Sequence, residues 1–173
     1  MKFLSERNVE MHREYLNNLI LKYKIFEKSY PELIGCDING IYKTKIRISE
    51  REAAANLFSE IQAHKIYFSS FEKRNSASLR IKNQYGSVAA FLYAVREMAK
   101  ESRHGFLLIY EDREKIGIYC GEEYEKILRC KKVLLALDLC EHAYFYDYGF
   151  NKEDYLVNAI SYFDLGKIEK SNN

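Results

Sequence analysis

Residues 134–148, LLALDLCEHAYFYDY, constrain this chain more than any other stretch. An apolar run ends in Asp138, His142 follows four residues later, and Glu141 sits between them beside a row of aromatics. A carboxylate and an imidazole among apolar side chains are expensive to bury unless paired, hydrogen-bonded or bound to a metal. If the piece is helical, a spacing of four puts both on one side. If the chain instead leaves a strand at Asp138 and then turns into a helix, the two side chains can still converge. Either way, the fold must bring the end of a buried segment to a polar centre. An Asp-capped helix with a hydrogen-bonded core histidine satisfies the pattern as well as a metal site does.

At 173 residues the chain can bury one sizeable core, in one or two lobes. Apolar residues at 47% and charged residues at 30% fit a folded, water-soluble protein. A single proline and eight glycines leave little room for linkers. Fifteen tyrosines and ten phenylalanines, with no tryptophan, predict an aromatic core with polar handles. A net charge of +2 sets up no global field that calls for nucleic acid. No apolar run is long enough for a membrane span, and the opening Met1-Lys2-Phe3 leads into charged residues, so a cytoplasmic protein is expected. Cys36, Cys120, Cys130 and Cys140 include no close pair and read as free thiols.

Along the chain, Ser5 can cap a helix over 6–23 or beyond, with Val9, His12, Leu16, Leu19, Ile20 and Tyr23 at helical spacing. Pro31 ends it. Residues 35–48 read as a loop, partly extended at 42–46. Ser49 and Glu52 suggest a capping box for a second helix running to about 74, with Ala53, Leu57, Ile61, His64, Phe68 and Phe71 on its apolar side. Residues 75–78 read as a surface connection, dividing a helical hairpin domain, 1–78, from an α/β domain, 79–173. Ser87 caps a third helix to about 102. Strands follow at 105–110 and 115–120, joined by a charged turn. The segment 122–129 is ambiguous between helix and loop, a third strand over 132–137 delivers Asp138, and a last helix starts at 151 or 152. The fold class is α+β: long helices packed on a small three-stranded antiparallel sheet with further helices.

The string Asp138-Leu139-Cys140-Glu141-His142-Ala143-Tyr144 resembles the D-x-W-E-H-A-Y signature of the iron/manganese superoxide dismutase family. Four further blocks are similar to that family in order: MHREYLNNL at 11–19, QAHKIYF at 62–68, YGSVAAF at 85–91 and GFLL at 105–108. The resemblance implies a helical hairpin on an α/β lobe with a mononuclear metal between them. It places His64, Asp138 and His142 on metal-ligand positions, and nitrogen and oxygen donors suit iron or manganese, with zinc not excluded by ligand type. It implies a homodimer in which Glu141 bridges to the partner's ligand histidine, and a small anionic oxidant such as superoxide as substrate. Tyr15 matches a gateway tyrosine concerned with access and proton delivery, and with His12 is a candidate catalytic side chain.

The fourth ligand of the family is a histidine eight residues before that tyrosine, a count that lands on Arg7. Arginine stays protonated and offers no lone pair. On this reading one ligand histidine is replaced, His12 lies just outside the ligand set and reaches the metal only if the first helix shifts, and the vacated position is open or taken by water, with no pattern selecting Glu6 or Glu10 for it. Phe106 and Cys140 stand where the family has tryptophan, and Glu60 where one subclass has a glutamine, all three surrounding the ligands. The expectation is therefore a metalloprotein whose dismutase activity is in question. The competing class is a non-catalytic protein of the same fold with a structural or interaction role. No serine elbow or phosphate-binding glycine loop supports a hydrolase. The basic groups Lys43, Lys45, Arg47, Arg51 and Lys73, Arg74, Arg80, Lys82 read as solvated faces, so nucleic acid is not an expected partner.

Overall fold

Ser5 begins the first helix, as its residue type predicts. Its Oγ accepts the Asn8 backbone N–H at 3.2 Å, and α1 runs Glu6–Ser29, stopping ahead of Pro31. The computed structural model describes residues 1–71 and 78–169. After a single 3₁₀ turn, Pro31–Leu33, the 35–48 segment is not a plain loop: it holds α2, Ile38–Lys43, whose Asp37 cap accepts the Gly40 N–H at 2.7 Å. Six residues are too few to show a helical period, and burial of Ile38 and Ile41 sets the helix in place. The second long helix, α3, spans Ile48–Ser69. It starts before Ser49, with Arg47 at the cap and no side-chain cap bond. It ends at Ser69 with Ser70 at the cap, short of the expected 74; residues 72–77, with most of the expected connection, and the tail from 170 lie outside the described residues.

Ser78 caps α4, Leu79–Tyr85, a helix the sequence pattern did not separate. Ser87 caps α5, Val88–Glu101, as expected. Strands β1, Phe106–Asp112, and β2, Lys115–Gly121, form the hairpin; α6, Tyr124–Cys130, resolves the ambiguous segment as helix, and β3, Lys132–Asp138, follows. A 3₁₀ turn, Glu141–Ala143, leads to the short α7, Phe145–Tyr148, then α8, Lys152–Ser161, and α9, Gly166–Glu169. The sheet is antiparallel in the order β2-β1-β3, and Phe106 stands opposite both Gly121 and Asp138.

Two clusters of buried side chains hold the layers together. One, including Leu19, Tyr23, Leu33, Ile41, Ala54 and Ile61, lies within the N-terminal helices. The other joins Ala63 and Tyr67 of α3 to the sheet, α5 and α8. Helix α3 is thus buried on more than the one stripe its sequence suggested, because it packs on α1 and on β3 at once. The start of α1 is tied to the far lobe by the Ser5 N–H, which donates to Asp147 Oδ2 at 2.8 Å, and by the Tyr148 hydroxyl, which donates to the Phe3 carbonyl at 2.5 Å.

Gly105 lets the chain enter β1. Its φ is +84°, and a Cβ there would meet the Gly121 carbonyl oxygen at 2.2 Å. Its own carbonyl accepts the Leu139 N–H at 3.0 Å, holding the exit of β3 beside the entrance of β1. The architecture is the expected one: an N-terminal helical region against a C-terminal lobe with a small antiparallel sheet. All four cysteines are free, and no helix among the described residues is long and apolar enough to cross a membrane.

Candidate metal centre

Asp138 is the last residue of β3 and is fully buried. Of the two geometries open to its segment, the chain takes the second: the strand ends, and the 3₁₀ turn carries His142 back over the carboxylate. Three imidazoles close on Asp138 Oδ2, with Nε2 of His12 and of His64 each at 3.2 Å and Nε2 of His142 at 2.9 Å. The four donor atoms lie within 4.8 Å of one another. They come from α1, α3, β3 and the turn after β3, so the centre exists only where both lobes meet.

The donor set suits a cation. His64 Nδ1 is 2.8 Å from the Glu60 carbonyl oxygen, which can only accept, so the ring proton is on Nδ1 and the Nε2 lone pair faces inward. His64 Nε2 and His142 Nε2 are 3.4 Å apart. Asp138 Oδ2 is buried without a hydrogen bond. Lone pairs facing one another in a buried carboxylate-imidazole cluster repel unless a positive charge sits between them. Imidazole nitrogens and carboxylate oxygens hold a transition metal at about 2.0–2.2 Å, which puts neighbouring donors roughly 3 Å apart. The observed separations of 2.9–3.4 Å fit that spacing.

In the metal-free protein the same four groups perturb one another's proton affinities. Burial opposes charge on Asp138, yet the surrounding imidazoles hold its carboxyl well below the usual range. Burial lowers the pKa of His12 despite the carboxylate. At His64 burial is outweighed by Asp138 and the Glu60 carbonyl, and the pKa rises. Asp138 is held in place by its surroundings: its Oδ1 accepts the Cys140 N–H and its backbone carbonyl accepts the Tyr155 hydroxyl, both at 2.9 Å.

This geometry corrects the sequence reading at one ligand. Arg7 is exposed and pairs with Glu10 at 3.2 Å, whereas His12 is buried and converges on Asp138. The histidine sits three residues before Tyr15, not eight: the face of α1 that carries His12, and not the one that carries Arg7, is buried against Asp138. The ligand set is two histidines and an aspartate plus His12, and it is intact. The doubt that a missing histidine cast on enzymatic activity goes with it, as does any need for Glu6, Glu10 or water to fill a gap.

The other candidate residues gather around this cluster. The Tyr15 ring stacks on His142 with centroids 4.2 Å apart, and its hydroxyl donates to Glu60 Oε1 at 2.6 Å. Burial and the nearby Glu60 raise the Tyr15 pKa. Phe106 meets His64 edge-on at 5.1 Å. Cys140 lies against Gly105, its Sγ 3.4 Å from the Gly105 N–H, and burial beside Asp138 pushes its thiol up to about 12. Glu141 is exposed on the rim, where Met11, Tyr15, His142, Phe145 and Tyr146 line an open pocket of about 450 Å³.

Some neighbours were not singled out from sequence. Tyr67 lies 4.8 Å from the His12 ring, which also meets Phe68 of the expected apolar stripe at 5.1 Å. Tyr124 packs on Phe106 at 5.0 Å, and burial together with Glu60 and Asp138 raises its pKa. Tyr124 lies in the segment with no clear period, so no local signal pointed to it. Tyr67 falls beside the apolar stripe of α3 and is buried by the sheet.

Residues 73–171 match the sequence profile of iron/manganese superoxide dismutases, C-terminal domain. Among curated proteins, none matches the chain.

Proposed function

Because the chain belongs to the iron/manganese superoxide dismutase family, we propose that it disproportionates superoxide at a mononuclear iron or manganese ion held by His12, His64, His142 and Asp138. The observation that carries this reading is the convergence of four donors within 4.8 Å, three imidazole Nε2 atoms around one buried carboxylate oxygen. Bound there, iron or manganese supplies one-electron redox chemistry. The overall reaction turns two superoxide ions and two protons into dioxygen and hydrogen peroxide.

The chain's own residues supply the rest. His64, locked by the Glu60 carbonyl, and Asp138, locked by Cys140 and Tyr155, hold their donor atoms in fixed directions. Tyr15 stands over His142 at the mouth, and the hydroxyl it donates to Glu60 carries a proton that can be passed to an incoming anion. Phe106 and Cys140 wall the site against bulk water. The pocket beside Met11, Tyr15 and His142 is the route of entry. Glu141, exposed on the same rim, reaches the partner's His142 in a homodimer and orients it from outside the ligand set.

The test is to strip the protein of metal and reload it separately with Fe(II), Mn(II) and Zn(II), then follow superoxide decay by stopped flow. The iron or manganese form accelerates the decay and the zinc form, which cannot change oxidation state, does not. Full occupancy by iron and by manganese with no acceleration in either would sink the proposal.

A further inference from the structure

A histidine that binds a metal through one ring nitrogen almost always donates the other N–H to an acceptor, which fixes tautomer and orientation. Two of the three histidines here satisfy this in visible ways. His64 gives its Nδ1–H to the Glu60 carbonyl at 2.8 Å, and the His142 side chain is 31% exposed, where solvent or a partner can meet it. His12 is different. It is 1% exposed, and its Nδ1 is buried with no hydrogen-bond partner.

One helical turn earlier lies Asn8, also 1% exposed, with both amide atoms, Oδ1 and Nδ2, buried and unpartnered. Residues four apart share a face of a helix, and Cα–Cβ bonds tilt toward the N-terminus, so the His12 ring leans back over the turn that holds Asn8. The position of Asn8 is itself fixed: its N–H is capped by Ser5, whose own N–H is tied to Asp147 across the lobes. Of the remaining neighbours of the His12 ring, Phe68 has no acceptor, and the Tyr67 hydroxyl, buried and also unpartnered, is the one competing acceptor, which the Tyr67→Phe variant below separates from Asn8.

We propose that Asn8 is a positioning residue of the metal centre: its amide oxygen takes the Nδ1 proton of His12 through one bridging water, and so keeps Nε2 turned toward Asp138. This rests on the reading of His12, His64, Asp138 and His142 as a metal site. Without an acceptor at Nδ1, the imidazole is free to carry its proton on Nε2 and present hydrogen, not a lone pair, to the ion. An asparagine side chain has the reach and the acceptor, and its isostere aspartate keeps both.

The experiment uses the full chain loaded with cobalt(II) as a paramagnetic probe. Ligand imidazole N–H protons then give hyperfine-shifted resonances that disappear in D₂O. The wild-type protein shows a slowly exchanging N–H from buried His12. Asn8→Leu, similar in size but unable to accept, loses or shifts that resonance and binds cobalt on the order of 10–100-fold more weakly. Asn8→Asp retains the resonance and binds at least as tightly as wild type, and Tyr67→Phe leaves both unchanged. If Asn8→Leu does not fold, Asn8→Met carries the same expected loss. The proposal is overturned if the apolar variant keeps resonance and affinity, if Asn8→Asp weakens binding as much as Asn8→Leu does, or if Tyr67→Phe is the variant that moves the resonance. A wild-type protein that takes up no metal at all overturns the metal reading and this one with it, whereas normal uptake with an indifferent Asn8 overturns only this one.

Discussion

Arg7 and His12 are five residues apart on one helix, which puts them about 140° apart around its axis. They cannot both face the sheet lobe. Burial decides between them, since Arg7 is solvated beside Glu10 and His12 is enclosed against Tyr67 and Phe68. His12→Ala is therefore expected to lower metal affinity by on the order of 100-fold or more, beyond the loss typical of an outer partner, while Arg7→Ala leaves it unchanged. Metal content after equilibrium dialysis distinguishes the two; equal effects would return the ligand assignment to open question. The same residue governs an acid effect in the metal-free protein. Burial holds His12 below its ordinary value of 6.5, so the unfolded chain binds the extra proton and stability falls as pH drops below about 6.5. His12→Gln removes this contribution. Denaturation curves between pH 7 and 5 should show wild type losing stability relative to the variant, by at most about 1.4 kcal/mol per pH unit. A difference that is flat or of opposite sign contradicts the buried neutral imidazole.

Among the elements, α3 is the one that makes the site possible, because it carries His64 and Glu60 while touching both α1 and β3. Its contact with β3 has a specific fastener. Ser70, just past the helix end, donates its hydroxyl to the Ile66 carbonyl at 2.8 Å and accepts the Ala136 N–H at 2.8 Å. Strand β3 is an edge of the sheet, and this bond satisfies a backbone donor that would otherwise face the helix unpaired. The Ser70 backbone carbonyl also accepts the Asp164 N–H at 2.9 Å. Ser70→Ala is expected to cost about 1–3 kcal/mol, the penalty of leaving a buried N–H unsatisfied, and to loosen metal binding by shifting His64 against Asp138. Urea unfolding with and without metal measures both, and a change within error on each would mean that apolar packing alone sets the distance. Much of the element pattern was legible beforehand. The Ser5 and Ser87 caps, the long helices and the β1–β2 hairpin follow from local chemistry. α2, α4 and α6 did not show, since six- and seven-residue helices are held by what they bury, not by a period of their own.

At the scale of the molecule, the rim of the metal centre is unusually apolar for an exposed surface. Met11, Phe145, Tyr146 and Phe150 are exposed at 41%, 45%, 60% and 91%, beside Glu141 and His142. Such a patch next to a proposed bridging carboxylate is where a second subunit would seat. Tyr146→Asp, which puts a charge in that patch, is expected to halve the solution mass from dimer to monomer in sedimentation, and Glu141→Ala to weaken metal retention in the dimer. A wild-type protein that sediments as a monomer at micromolar concentration removes both expectations.

The family resemblance placed His64 with Asp138 and His142; the sequence by itself determined the α+β class, the delivery of Asp138 by a buried strand, and the close pairing of Asp138 with His142. Those follow from hydrophobic period, capping residues and a short motif, all of which act over a few positions along the chain. Only the tertiary structure decided that His12 completes the centre, that Asn8 is buried behind it, and that Tyr67 and Tyr124 border it. The rotation of α1 about its axis is set by how its side chains pack against another lobe, and nothing local in a helix specifies which of its faces will meet a partner more than a hundred residues away.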